Sequence, residues 1–357
     1  MLTRSEVKSH TGRTGDFRSV IVTHTGPLDV ETEVRHTVTI VANGGEEWRG
    51  DVYLLGQDRR VVTQLDLEEI IVHRPEEITQ LKQAVMIQCV RPPSEIDYCS
   101  RVCCTNTMKN AIRVKMLNPS CQVYVLYKDM ITYGFREQYY TEARRRGVVF
   151  LRYDEQHLPQ VSRTADGKLE VRAWEQVFGR EMILAPDLVA LSMAVVPSPG
   201  AEELAKILDV PMSVEGFFQE AHLKMRPMDF MEEGIFMAGM AHYPKFIEEA
   251  IINAQATAGR AITLLAKEPF YYGGPIAIVD QAKCVGCLTC VRTCPFEIPK
   301  IRPDMTGVGA IVGAAYIEPA LCQGCGTCTA ECPAKAIELL AYRDVQLAGE
   351  LTGAWGA

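Results

Sequence analysis

The chain has 357 residues, 47% hydrophobic and 23% charged, with a formal net charge of −8. That length suggests about two or three domains with a real core, and an acidic balance without a long basic run argues against nucleic acid as the main partner. No apolar signal segment opens the chain, no apolar run approaches the roughly 20 residues of a membrane helix, and thirteen cysteines point to metal ligation rather than disulfides. The chain therefore reads as a cytoplasmic protein of an anaerobe.

Residues 1–35 are polar and weakly patterned, with an edge strand expected at Arg18–Thr23 and a turn at Gly26-Pro27. A strand is expected over His36–Ala42, closed by the tight turn Asn43-Gly44-Gly45. Leu65–Gln83 has helical spacing, interrupted at Pro75. The chain then alternates: strand Ala84–Gln88, helix Ser100–Met116, strand Gln122–Tyr127, helix Phe135–Arg146, strand Val148–Tyr153. That rhythm predicts an α/β fold with a parallel sheet covered by helices. A β-rich excursion with a turn at Asp166-Gly167 follows, then a buried strand at Asp187–Val195 and a helix at Ala201–Leu208. Gly234–Gly239 reads as a short strand, Pro244–Leu265 as a long helix, and Ala266–Gly274 as a linker.

Beyond the linker the pattern changes. Cys284, Cys287, Cys290 and Cys294-Pro295 follow C-x2-C-x2-C-x3-C-P, and Cys322, Cys325, Cys328 and Cys332-Pro333 repeat it. This is the bacterial ferredoxin run, in which each fourth cysteine serves the other cluster. One [4Fe–4S] cluster is thus expected on Cys284, Cys287, Cys290 and Cys332, and a second on Cys322, Cys325, Cys328 and Cys294. Gly286 and Gly324 are expected to relieve crowding where the loops approach sulfide. Paired C-x2-C is also a zinc signature, but two runs of four, each closed by Cys-Pro, favour iron–sulfur. The second run reads on as a helix through Cys-Pro-Ala-Lys-Ala-Ile-Glu-Leu, whereas Pro299 makes the exit from the first irregular. The residues between Cys294 and Cys322 read as a hairpin-like insertion, and the tail beyond Leu340 as a docking arm or a frayed end.

A second group of cysteines lies upstream. Cys89 closes an apolar strand, and Tyr98-Cys99-Ser-Arg-Val-Cys103-Cys104 opens the next helix, with Cys99 and Cys103 one turn apart on one face. The carboxyl edge of an open α/β sheet is where ligands bind. A helix N-terminus favours thiolates there, and Arg101 offsets negative charge. From the residues alone these four cysteines are either a third [4Fe–4S] site or a few buried or redox-active thiols. The seven histidines show no metal-ligand spacing, and no hydrolase triad or phosphate loop is present.

The stretch from Met86-Ile-Gln-Cys89 through Cys99-Ser-Arg-Val-Cys103-Cys104 to Lys109-Asn-Ala resembles the A-type subunit of heterodisulfide reductase. So do Val123–Tyr127, Thr132–Arg136, Phe150–Asp154, Gly234–Gly239 and both ferredoxin runs, and the likeness covers nearly the whole chain from about Asp16. The resemblance implies a third cluster on Cys89, Cys99, Cys103 and Cys104, inside a thioredoxin-reductase-like flavin domain. The gap from Cys89 to Cys99 is a few residues shorter than usual in that family. Cys121 has no partner in the pattern and is expected to be structural.

The resemblance is incomplete. Members of that family carry an N-terminal G-x-G-x-x-G turn for the FAD pyrophosphate, and this sequence has none; it begins partway through the flavin domain. What remains of a flavin site is implied by likeness: Gly234 and Gly239 on the late strand, Met240 where many flavoproteins have Asp, Lys245 before the long helix, and Lys109 as a cation facing the ring. The expected organisation is a partial thioredoxin-reductase-like FAD/NAD-binding domain (1–270) with one [4Fe–4S] site, a two-[4Fe–4S] ferredoxin domain of α+β type (275–342), and a tail (343–357). The expected function is single-electron transfer in a heterodisulfide-reductase-like oxidoreductase complex, through three clusters and an FAD shared with a chain supplying the G-x-G-x-x-G half. In such a complex the flavin splits or merges electron pairs, and the outer partners are ferredoxin-like proteins, hydrogenases or dehydrogenases. The alternatives are a complete FAD-dependent oxidoreductase and a flavin-free electron wire or docking module.

Overall fold

The computed structural model describes residues 1–26, 28–91, 98–267, 275–319 and 321–355. It opens on a meander in which β1 (Ser5–Arg13), β2 (Asp16–His24) and β3 (Asp29–His36) pair antiparallel in that order. Sequence reading anticipates only the middle strand. β1 and β3 are mostly exposed and carry charges, with Lys8 paired to Glu31 and Arg35 to Asp16, so no apolar alternation marks them. Pro27 of the expected turn lies outside the described residues. β4 (Thr39–Val41) is shorter than expected and is followed by β5 (Gly45–Glu47) and β6 (Val61–Thr63).

α1 (Gln64–His73) starts on a reciprocal cap: the Asp66 N–H donates to the Thr63 hydroxyl and the Thr63 N–H to the Asp66 carboxylate. The helix breaks at Arg74, and α2 (Pro75–Thr79) begins with proline at its first position, where the missing N–H costs nothing. β7 (Gln83–Val90), α3 (Cys103–Leu117), β8 (Gln122–Tyr127), α4 (Glu137–Arg145) and β9 (Val149–Arg152) carry the expected alternation. The excursion is an antiparallel sheet of β10 (Gln160–Arg163), β11 (Leu169–Glu175) and β12 (Arg180–Leu184). β13 (Leu188–Met193) then enters the main sheet, whose order is β6-β13-β7-β8-β9, every pair parallel.

Both faces of this sheet are buried. Ala84 and Met86 gather with Leu67, Met108, Ala111 and Val114 of the helices. Val85 and Ile87 gather with Leu169, Val171 and Ala173 of the excursion. A strand covered on both sides reads as a continuous apolar run, so β7 and β13 are plain in the sequence. Asn118 braces the amino end of β7 from below α3. Its buried amide donates to the carbonyls of Ile78 (3.1 Å), Thr79 (3.0 Å) and Leu81 (2.8 Å), and its Oδ1 accepts from Ser120 and the Cys121 N–H.

β14 (Val195–Pro197) pairs with β5, and α5 (Ala201–Leu208) follows. β15 (Ile235–Met237) lies parallel to β4 and leads to α6 (Ile247–Leu265). These elements close a separate core around Phe17, Phe218, Phe230 and Ile235. Gly234 enters it at φ +87°, and a Cβ there would stand 2.9 Å from the Thr14 methyl.

The expected linker lies largely outside the described residues. Beyond it come β16 (Ala277–Val279), α7 (Thr289–Thr293), the hairpin β17 (Lys300–Thr306) and β18 (Val312–Tyr316), α8 (Thr327–Glu331) and β19 (Ile337–Leu339). β19 corrects an expectation: the second cysteine run leaves as a strand, because Ile337–Leu339 pairs antiparallel with Ala277–Val279 and buries Ile337 beside Ala277. The tail forms α9 (Asp344–Trp355).

Removing the Asn118 side chain leaves several buried polar groups without partners. Asn118→Ala is expected to cost about 2–3 kcal/mol, measured as a lower denaturant midpoint at unchanged slope; a midpoint matching the parent rules out the bracing role.

Candidate metal centres

The C-terminal unit wraps its cysteines in two equivalent loops. Gly286 (φ +65°) and Gly324 (φ +67°) hold the same place in each. Each lies close to a backbone carbonyl: a Cβ would meet that of Gly313 in β18 at 2.9 Å in the first loop and that of Pro275, just ahead of β16, at 2.1 Å in the second. The same strands donate to sulfur, the Ala315 N–H to Cys284 Sγ (3.4 Å) and the Ala277 N–H to Cys322 Sγ (3.3 Å). Both loops then turn left-handed before their short helices, through Leu288 (φ +64°) in one and Gly326 (φ +76°) in the other. Threonine follows in each, with Thr289 Oγ1 3.3 Å from Cys287 Sγ and Thr327 Oγ1 3.5 Å from Cys325 Sγ.

Cys284, Cys287 and Cys290 from the first run and Cys332 from the second line one cavity. Burial pushes the Cys328 thiol up, and neighbouring Cys322, Cys325 and Cys294 push it further. Burial likewise pushes Cys290 up to about 11, with Cys284, Cys328 and Cys287 adding to it. Such thiols resist losing a proton to water and become acceptors when a metal takes the proton's place.

The upstream cysteines surround a cavity of about 190 Å³ at the carboxyl ends of β7, β8 and β13. Cys89, Cys99, Cys103 and Cys104 all line it, with Lys128, Asp129 and Ser192–Ala194. Cys89 turns inward because the pairing of β7 with β13 slips between Leu191 and Met193, leaving Cys89 at φ +56°. α3 begins only at Cys103, so Cys99 is not on its face as expected. Arg101 at φ +63° cannot continue a right-handed helix, and its N–H instead closes onto Cys99 Sγ at 3.3 Å. The adjacent Cys104, with burial, pushes the Cys103 thiol well up, while Cys103 holds Cys104 down against its own burial. The Ile131 N–H also donates to Cys104 Sγ, at 3.4 Å.

The Arg101 guanidinium is drawn off the cysteines. It pairs with Glu249 at 2.9 Å, donates to the Pro244 carbonyl and lies over Tyr133 and Tyr243. Lys245 is buried beside it, its Nζ 3.2 Å above the Tyr243 ring and without a hydrogen-bond partner among the described residues. Burial, then Arg101, brings its pKa down to about 7. Gly239 (φ +65°) donates its N–H to Asn253 Oδ1 at 2.7 Å, and Met240 lies in the turn that follows. Asn253 gave no sequence signal, being one polar residue on a long helix. Lys109 sits apart from this group, half-exposed and paired with Glu68 of α1 at 2.5 Å. Cys121 is buried at the start of β8, its thiol pushed up to about 11 by burial, and it joins neither group.

Among the described residues no three His, Cys, Asp or Glu side chains converge on one metal ion. A cube of iron and sulfide is bulkier than an ion, so cysteines that serve it line a cavity.

A family model for the 4Fe-4S dicluster domain matches residues 283–336. The chain is an iron–sulfur protein of α/β architecture. It is 33% identical over 287 residues to the A-type subunit of the H(2):CoB-CoM heterodisulfide,ferredoxin reductase of Methanothermobacter marburgensis, covering 76% of this chain and 43% of that one. It is 34% identical over 341 residues to the A-type iron-sulfur subunit of the CoB–CoM heterodisulfide reductase of Methanocaldococcus jannaschii, covering 90% of this chain and 51% of that one. The chain is a homologue of the heterodisulfide reductase A-type subunits and spans about half the length of the curated relatives it matches. Among solved structures it is similar to thioredoxin reductase of T. acidophilum (14% identical, 74% of each chain, TM-score 0.46). The enzyme of Lactococcus lactis is likewise similar (14% identical, 74% of this chain and 75% of that one, TM-score 0.47).

Gly324→Ala sets a Cβ against the Pro275 carbonyl on a left-handed backbone. The variant is expected to lose about four irons per chain, measured by anaerobic iron and sulfide analysis. Full retention shows that the loop tolerates the contact.

Proposed function

We propose that this chain is an electron-transfer subunit of a heterodisulfide-reductase-like oxidoreductase complex, with three [4Fe–4S] clusters. The observation that carries the reading is the upstream cavity, where four cysteines line the carboxyl edge of a parallel sheet in a chain that also holds a dicluster domain. Cys89, Cys99, Cys103 and Cys104 serve the first cluster. Cys284, Cys287, Cys290 and Cys332 serve the second, and Cys322, Cys325, Cys328 and Cys294 the third. Clusters of this type pass one electron at a time. The work of the chain is to hold each cube out of water, to direct N–H dipoles at the sulfurs and to keep neighbouring cubes close.

The domain division follows the same reading: a partial flavoprotein-like unit to about residue 270, the dicluster unit over 275–342, and a tail. An FAD shared with a partner chain fits the residues in one respect. The unpartnered ammonium of Lys245, buried near the cluster loop, suits an anionic edge of a bound group. Bound FAD exchanges electrons singly or in pairs. Gly234, Gly239, Met240 and Lys245 would line its side of this chain, whereas Lys109, paired with Glu68 on α1, lies apart from them and is not assigned to the flavin. A partner supplies the G-x-G-x-x-G half, and other subunits or ferredoxin-like, hydrogenase or dehydrogenase partners take or give the electrons. No described helix is long and apolar enough to cross a membrane.

Three cubes require about twelve irons per chain, and Cys103→Ser should remove about four while leaving the dicluster signals intact. Anaerobic iron and sulfide analysis with electron paramagnetic resonance reads both. About eight irons in the parent chain refutes the upstream cluster.

The flavin makes a separate expectation. Without oriented donors for the pyrophosphate, burying its charge here is costly, so the chain purified alone is expected to hold little FAD and the complex a stoichiometric amount. Cofactor extraction and absorbance measure both. Full FAD in the isolated chain refutes the shared site, and a flavin-free complex leaves an electron wire.

A further inference from the structure

Behind the upstream cavity lies a side chain with an unmet need. Gln88 is wholly buried, next to Cys89 in β7, and its carbonyl is fixed by the Tyr153 hydroxyl at 2.6 Å. Its side-chain Oε1 stands 3.4 Å from Cys104 Sγ, where a thiol donates to it. Its Nε2 has no hydrogen-bond partner among the described residues. A buried amide nitrogen left unpaired costs about 1–3 kcal/mol, so such a group is seldom kept without a use.

The chemistry of the site supplies one. A cysteine bound to iron carries no proton, so its sulfur only accepts. A half-turn of the Gln88 amide about its last bond exchanges oxygen for NH2 with almost no change of shape. The carbonyl then leaves the negative sulfur, and the orphaned nitrogen donates to it.

We propose that Gln88 sets the reduction potential of the upstream cluster, its side-chain NH2 donating to the Cys104 sulfur. The proposal rests on the reading of this cavity as a cluster site. A reduced cluster carries one more negative charge than an oxidised one, so a donor aimed at its sulfur favours the reduced form and raises the potential. Gln88 joins the backbone N–H groups of Ile131 and Arg101, which already point at Cys104 and Cys99. Those two persist whatever the side chains. Gln88 is the donor that substitution removes.

The test compares the whole chain, with clusters in place, to Gln88→Leu and Gln88→Met. Both keep the bulk of the side chain and remove the donor. Potentials come from redox titration followed by electron paramagnetic resonance. The signal lost in Cys103→Ser identifies the upstream cluster, and the dicluster signals serve as internal reference. The expected result is an upstream potential shifted negative, by about tenfold in the oxidised-to-reduced ratio or about 59 mV for one electron, with the dicluster potentials unmoved. An upstream cluster at the parent potential in both variants overturns the proposal. So does loss of that cluster in both variants with the dicluster pair retained, which makes Gln88 a structural support. A parent chain lacking the upstream signal overturns the cluster reading itself.

Discussion

A buried sulfur bearing negative charge must be solvated by the protein, and the nearest dipoles are backbone N–H groups. Much of the local conformation serves that requirement. Ala315 and Ala277 point at Cys284 and Cys322 from neighbouring strands, Ala336 at Cys332, Ile131 at Cys104 and Arg101 at Cys99. To bring backbone around sulfur the chain takes left-handed turns at Gly286, Gly324 and Gly326, where glycine has no penalty. It also takes them at Cys89, Arg101 and Leu288, where a side chain makes them costly. Conformations of that kind persist where the surroundings over-determine them, and these three stand within the cysteine loops.

The two kinds of site solve the problem with different scaffolds. In the dicluster unit the scaffold is small: short helices, a hairpin and a two-stranded sheet, with Cys284, Cys290, Cys328 and Cys332 themselves in the hydrophobic core. So few apolar side chains make a modest core, and a unit of this size leans on its metal for stability. The upstream cavity sits instead on a five-stranded sheet buried on both faces. Its cysteines decorate the end of a body with ample packing of its own, so the fold there does not lean on a metal.

This difference explains what was legible in the sequence. The dicluster loops announce themselves because chain spacing alone does the wrapping. The parallel strands do so because two-sided burial leaves an unbroken apolar run, as in Ala84–Ile87. The outer strands β1 and β3 of the meander stay hidden because exposed charged strands lack that alternation. Strand β19 carries a helical sequence, since Ala-Lys-Ala-Ile-Glu-Leu has good helical propensity, which pairing with β16 overrides. At the upstream site the sequence pointed to the cysteines but put Cys99 on the helix. The left-handed turn at Arg101 comes from tertiary contacts with Tyr133, and with Glu249 and the Pro244 carbonyl about 140 residues away on α6 and its approach.

Those contacts carry a consequence for how the chain works as one object. Arg101 lies between Cys99 and Cys103, yet its charge is spent on the start of α6, where Glu249 also caps the helix by accepting the Phe246 N–H. The cysteine loop and the amino end of α6 are therefore held as a single piece. Lys245 is carried into that piece beside a second cation and given no counter-charge within hydrogen-bond reach. Burial and Arg101 together disfavour the charge on Lys245, and an anionic group beside it would favour that charge. Any such group is registered against the cysteine loop through Arg101, by its ion pair to Glu249 and its bond to the Pro244 carbonyl. The geometry thus ties Lys245 and the Tyr243 ring it lies over to the cysteine loop, so that whatever the two places bind is held at one separation.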